Sequence, residues 1–290
     1  MSFVRRQLSV TFTLGKAFFD DGKSNIVTIE GLRASATILK IGGRGMGTLN
    51  LRIYGLHASM MNKLSTLGLT PMEQTNNSVA ISAGDDESGM AIVFIGTIQN
   101  GYVDYASSPD VSFNVQAFAG LEAMVKPVQP SSYLGSTDVA TILSNLAAIM
   151  NLKFENSGVN VKLAYPYFSG TAREQALDCV EHADIEWNNM DNGVLAIWPK
   201  GGNRDGAVLE VSATTGLVGY PAYTSWGVSL TTMFNPNINY GSKIKLVSSL
   251  LPACGEWVVY RIEYVLESET PEGEWFCYLE AARPGYVPIS

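Results

Sequence analysis

Glu256-Trp-Val-Val-Tyr-Arg-Ile-Glu-Tyr-Val-Leu-Glu267 and Glu274-Trp-Phe-Cys-Tyr-Leu-Glu-Ala281 flank the loop Ser268-Glu-Thr-Pro-Glu-Gly273. Two runs rich in aromatic and β-branched residues, with Pro and Gly between them, read as long strands closing a hairpin. Upstream of them, Gly227-Val-Ser-Leu-Thr-Thr-Met233 and Lys243-Ile-Lys-Leu-Val-Ser248 are further strands. Residues from about Gly206 to the end therefore read as a β-region.

The stretch before it, Lys126 to Asp205, has a different character. Its entrance, Lys126-Pro-Val-Gln-Pro-Ser-Ser132, has linker composition. Between Ser136 and Met150, Val139, Ile142, Leu143, Leu146 and Ile149/Met150 share one helical face behind Ser136 or Thr137 as the cap. Leu152-Lys-Phe-Glu155 and Val159-Asn-Val-Lys-Leu163 are short strands around Asn156-Ser-Gly158. A second helix, Ser169 to His182, has Thr171 as its cap and Ala172, Ala176, Cys179, Val180 and Ala183 as its apolar stripe. Ile185-Glu-Trp187 and Gly193-Val-Leu-Ala-Ile-Trp198 then form a hairpin around Asp191-Asn-Gly193.

The first 125 residues alternate apolar and polar side chains in short runs: Gln7–Leu14, Asn25–Glu30, Ala34–Lys40, Thr48–Tyr54, Ala91–Gly96 and Val111–Ala117. Turn clusters at Asp20–Ser24, Gly42–Gly45 and Gly84–Gly89 separate them, the punctuation of a sandwich or barrel. Ser59–Leu67 has helical spacing at Met60, Met61, Leu64 and Leu67. The expected architecture is mainly β with an α+β insert: residues 1–125, 126–205 and 206–290.

Composition agrees. A chain of 290 residues suggests two or three domains. At 46% hydrophobic it buries a real core, which excludes intrinsic disorder. Only 16% of residues are charged, against about 25% in ordinary soluble domains, a deficit that suits surfaces facing other subunits. The net charge of −8 argues against sequence-independent binding of nucleic acid or anionic membrane. It falls unevenly: 9 basic against 10 acidic residues in 1–125, 6 against 9 in 126–205, and 4 against 8 in 206–290. Seven of those last eight acids lie between Glu256 and Glu280. The N-terminus has no apolar h-region, so it reads as a strand and not a signal peptide. Val139–Leu152 is too short and too polar to span a bilayer. Cys179, Cys254 and Cys277 show no metal or redox spacing and read as reduced small hydrophobes, as in a protein made in the cytoplasm.

A search for chemistry returns little. His57 and His182 are the only histidines, and both read as structural, His182 favoured at a helix C-terminus. No HxH, HExxH, CxxC or GxSxG spacing is present, so no catalytic residue, metal ligand or cofactor-binding residue is assigned and no cofactor is expected. Gly42-Gly-Arg-Gly-Met-Gly47 lacks the Lys-Ser/Thr of a phosphate loop and joins two strands, so it reads as a flexible β–β connection. Acid pairs such as Glu181/Glu186 and Glu263/Glu267 are candidates for glycosidase chemistry, though alternating acids on an exposed strand are more often a solvated or lumen-facing row. Trp226, Trp257 and Trp275 read as core or interface anchors.

Several segments resemble the central baseplate hub proteins of contractile-tailed bacteriophages. They are Thr48–Leu67, Val93–Tyr105 with Pro109–Gly120, Gly227–Gly241, and Val258–Glu267 with Gly273–Leu279. The resemblance extends over nearly the whole chain, and its motifs are packing motifs. Tyr264 departs from the histidine of many relatives. The resemblance implies two tail-tube-like β-barrel domains flanking the small α+β domain. It further implies a non-enzymatic structural subunit forming a homotrimer, whose pseudo-hexameric ring joins the sixfold tail tube to the threefold spike. Its implied partners are other copies of itself, the tube and spike proteins and baseplate wedge proteins, with DNA as transient cargo and no membrane. Its implied place is the virion tail baseplate, assembled in the host cytoplasm. Part of the Glu256–Glu280 row is expected to line the channel, where it would repel phosphate. The alternatives are a peptidoglycan-associated tail module, lysin or carbohydrate-binding, which a groove with an exposed Trp and an acid pair would favour, and the hub of a tailocin or contractile injection system.

Overall fold

The computed structural model describes residues 4–19, 24–66, 77–106, 108–188 and 190–286. In chain order the elements are β1 (Arg6–Thr13), β2 (Ile26–Ile29), β3 (Ala34–Ile41), β4 (Thr48–Tyr54), α1 (Ala58–Leu64), β5 (Ser78–Asp85), β6 (Gly89–Asp104), β7 (Ser112–Phe118) and α2 (Leu121–Val125). There follow β8 (Ser131–Ser132), β9 (Ser136–Asp138), α3 (Val139–Ile149), β10 (Lys153–Asn156), β11 (Lys162–Ala164), β12 (Tyr167–Phe168), α4 (Ala172–His182), β13 (Ile185–Trp187) and β14 (Val194–Pro199). The chain closes with β15 (Leu209–Val211), β16 (Leu217–Tyr223), β17 (Val228–Met233), β18 (Lys243–Leu246), β19 (Gly255–Ser268) and β20 (Trp275–Ala282). Strands dominate, as the alternation predicts.

The chain divides into two compact units. The first comprises 1–39, 47–119 and 263–276, and the second 40–46, 120–262 and 277–290. The hairpin strands β19 and β20 run through both. In the first unit, hydrogen bonding orders the strands β19–β3–β4–β7–β6–β5–β1–β2. Its core follows from period-two alternation: Leu8, Val10 and Phe12 of β1, Ile38 of β3, Leu49, Leu51 and Ile53 of β4, and Phe113 and Val115 of β7 are all buried. Burying each large side chain contributes about 1.5–3 kcal/mol. β5, absent from the expected strands, pairs in register with β1 from Thr13↔Ser78 to Arg6↔Asp85. The short helix ends at Leu64, earlier than the expected span, because Ser65 turns to extended backbone; Leu67 lies outside the described residues.

The second unit contains a helix–sheet module and a second set of strands. In the module, α3 and α4 cover the sheet β10–β14–β13. Ile142, Leu143, Leu146, Ala176, Cys179, Trp187, Leu195 and Ile197 form its core. Asp138 caps α3, its side chain accepting from the Ala140 N–H at 2.9 Å, in place of the expected Ser136 or Thr137. Those two residues are held instead in β9, paired with β11. At α4 the expected cap stands: Thr171 and Glu174 form a reciprocal capping box. The expected hairpin forms as β13 against β14, with Asn192 and Gly193 supplying the left-handed turn. The other strands run β16–β17–β20–β19–β18–β15, and β15 pairs parallel to β18.

Candidate functional site

A cleft of about 820 Å³ lies within the second unit. Its floor is α4 (Leu177, Val180, Glu181), the turn at Asp184 and β13. Its walls are the loop Ile41–Gly45, Lys200, Trp226, Tyr240, Tyr260 and Arg261 of β19, and Glu280 of β20. These residues converge because the loop after β3 is fastened to the module. The Trp187 indole N–H donates to the Gly43 carbonyl at 3.1 Å, and the Arg173 guanidinium donates to the Arg44 carbonyl at 2.8 Å. The loop expected to be flexible is thus pinned through its carbonyls. Gly42 is needed there, because a Cβ at that position would lie 1.8 Å from the buried Tyr240 hydroxyl. Behind the loop, the Lys40 ammonium, 2% exposed, pairs with the Asp191 carboxylate at 2.9 Å and donates to Asn239 Oδ1 at 3.1 Å.

Most charges of the cleft are paired. Arg44 donates both Nε and Nη2 to Glu181 at 2.8 Å. Lys200 meets Asp184 at 2.5 Å. Arg261 and the Tyr260 hydroxyl donate to Glu280 at 3.0 and 2.9 Å. Glu186 differs. It is half-buried, accepts from the Gly201 N–H and the Tyr240 hydroxyl, and is held above the ordinary carboxylate range by burial. Burial, reinforced by the neighbouring Glu186, likewise pushes the Tyr240 phenol upward.

Of the acid pairs singled out in the sequence, Glu181 and Glu186 both line this cleft, together with the half-buried Trp226. Glu263 and Glu267 do not line it; they occupy the outward, half-exposed positions of β19. Trp257 is buried beneath the Arg283 guanidinium, and Trp275 is buried. His57 caps α1, its Nδ1 accepting from the Ser59 N–H at 3.4 Å. His182 ends α4, its Nδ1–H donating to the Asp178 carbonyl at 2.6 Å. Cys179 and Cys277 are buried thiols pushed up to about 12 by desolvation, and Cys254 is half-buried. Among the described residues no group of three or more His, Cys, Asp or Glu is arranged to hold a metal, and no helix is long and apolar enough to cross a membrane. Tyr240, Tyr260, Arg261 and Lys200 were not legible as site residues, since no spacing links them.

A second feature suits assembly. β16 stands at one end of the strand order, with Val218, Tyr220 and Tyr223 exposed. Tyr220 is 75% exposed, and the pairing of β16 with β17 is interrupted between Val218 and Ala222. An edge strand with apolar side chains in solvent invites another chain.

The sequence profile of a family described as Baseplate hub gp41 matches residues 7–278. No curated protein matches the chain in sequence. Among solved structures, the chain is similar to the 43 kDa tail protein of prophage MuSo2 from Shewanella oneidensis, with a TM-score of 0.58, 9% identity, and 97% of this chain and 98% of that one covered. It is similar to the tail protein from Neisseria meningitidis MC58, with a TM-score of 0.58, 10% identity and coverage of 96% and 97%. It is also similar to an E. coli protein described as a component of the type VI secretion system with structural similarity to the T4 bacteriophage tail proteins gp27 and gp5, with a TM-score of 0.58, 8% identity and coverage of 87% and 74%. At these identities the likeness shows the fold.

Proposed function

This chain belongs to the baseplate hub gp41 family, and from that premise we propose that it is the trimeric hub of a contractile phage tail. In this reading residues 1–125 and 206–290 build two tube-like barrels around the insert 126–205, and three copies make a pseudo-hexameric ring. The ring adapts the sixfold tube to the threefold spike, contacts the wedge proteins and passes DNA without chemistry. The observation that carries it is the exposed edge strand β16, whose Val218, Tyr220 and Tyr223 gain cover only in an assembly. Glu256, Glu269 and Glu280 are ion-paired to Lys243, Arg5 and Arg261. In this reading part of the Glu256–Glu280 row faces the channel, where its carboxylates repel phosphate.

Native mass measurement and cryo-EM of the chain mixed with its tube and spike proteins test the proposal. A threefold ring is expected, and a strict monomer in the presence of both partners overturns it. The Trp226–Glu181–Glu186 cleft favours the second reading, a peptidoglycan-associated module. Clearing or pull-down of purified peptidoglycan by the chain would support that reading, and inertness would remove it.

A further inference from the structure

We propose that the cleft formed by α4, β13 and the loop Ile41–Gly45 is a receptor for an arginine side chain presented by a protein partner. Seven charged side chains line it, and six form the three ion pairs Arg44–Glu181, Lys200–Asp184 and Arg261–Glu280. Glu186 remains; the cation that acts on it, Lys200, is itself ion-paired to Asp184. Its carboxylate accepts from the Gly201 N–H and the Tyr240 hydroxyl. A carboxylate offers about four acceptor positions, so about two stay open, the number a guanidinium fork fills side by side.

The surroundings fit the same group. The buried Tyr240 and the half-buried Tyr260 and Trp226 line the cleft, and aromatic side chains suit a planar guanidinium better than an ammonium. The cleft volume of about 820 Å³ leaves room for the residues flanking the arginine. The three satisfied ion pairs supply the polar rim of a protein contact around that anchor. The source of the arginine rests on the assembly reading; the site itself does not.

The test uses the full chain with labelled tryptophan indoles, titrated with acetyl-Gly-Arg-Gly-amide, its citrulline counterpart and N-acetylglucosamine trimer. The arginine peptide should saturably shift the Trp226 signal, and the citrulline peptide should bind at least about tenfold more weakly. Glu186→Gln should lose about tenfold in arginine affinity while keeping its circular dichroism and a thermal transition no lower than that of the wild type. Equal binding of arginine and citrulline, unchanged affinity in Glu186→Gln, or no shift with arginine overturns the proposal. Binding of the sugar trimer in place of the arginine peptide also overturns it and assigns the cleft to glycan. Native mass of Glu186→Gln with tube and spike proteins separates this from the hub reading, which stands if the trimer forms whatever the peptides do.

Discussion

Removing the negative partner of Lys40 should be among the most damaging single changes in the second unit. The Lys40 ammonium is 2% exposed and the Asp191 side chain 9%, with 2.9 Å between them. Asp191→Asn keeps the shape and takes the carboxylate charge away from a buried cation that also donates to Asn239 Oδ1 at 3.1 Å. Breaking one side of such a pair costs about 3–5 kcal/mol. At a urea slope of about 3 kcal/mol/M the midpoint should fall by about 1 M or more. Trp187 and Trp198, buried in the same unit, provide the fluorescence signal. Lys40→Met with Asp191→Asn removes both charges, and its loss should be smaller than the sum of the single losses by at least about 2 kcal/mol. A single-variant loss under about 1 kcal/mol, or additive losses in the double variant, would refute the argument.

Thr171→Ala removes one arm of the capping box and should cost about 1 kcal/mol by thermal unfolding, whereas an uncapped helix would not respond. Gly42→Ala pushes a methyl against Tyr240 and should cost about 1–3 kcal/mol; a neutral result would mean that the loop moves away freely. Glu186 has a native pKa raised above its ordinary 4.5, so the wild type loses stability as pH rises through that value toward the native one. Glu186→Gln should therefore match the wild type at low pH and exceed it above the native pKa, and a constant difference across pH contradicts this. A brief pulse of thiol reagent read by mass spectrometry should label Cys254 and spare Cys179 and Cys277, whose burial suppresses the thiolate.

What was legible in the sequence is what local physics sets. The Thr171 box lies within four residues, the β13–β14 turn rests on Asn192-Gly193, and the alternation of β1 and β4 repeats every second residue. β5 escaped because its run, Ser78-Val-Ala-Ile-Ser-Ala-Gly-Asp85, uses small residues of weak strand preference. β16 escaped because it buries little beyond Pro221 and so has no face to alternate. Ser136 was misread as a cap because a strand pairing competes for it, and no local pattern reports that. The cleft draws on seven separated stretches of chain, so only its acid pair, one tryptophan and the glycine loop after β3 left a trace in the sequence, with nothing to link them.

The hairpin β19–β20 makes the fold a matter of timing. Residues 263–276 belong to the first unit, whose other parts end at residue 119. Residues 120–262 come off the ribosome in between, taking on the order of 10 s at about 5–20 residues per second. Through that interval β3 waits without its β19 neighbour, an open strand edge on a nascent chain. The unit synthesised first is therefore among the last to be completed, and the long non-local pairing that completes it is slow to find. Production of the protein should be more sensitive to chaperone supply and to translation rate than the stability of the finished fold would suggest.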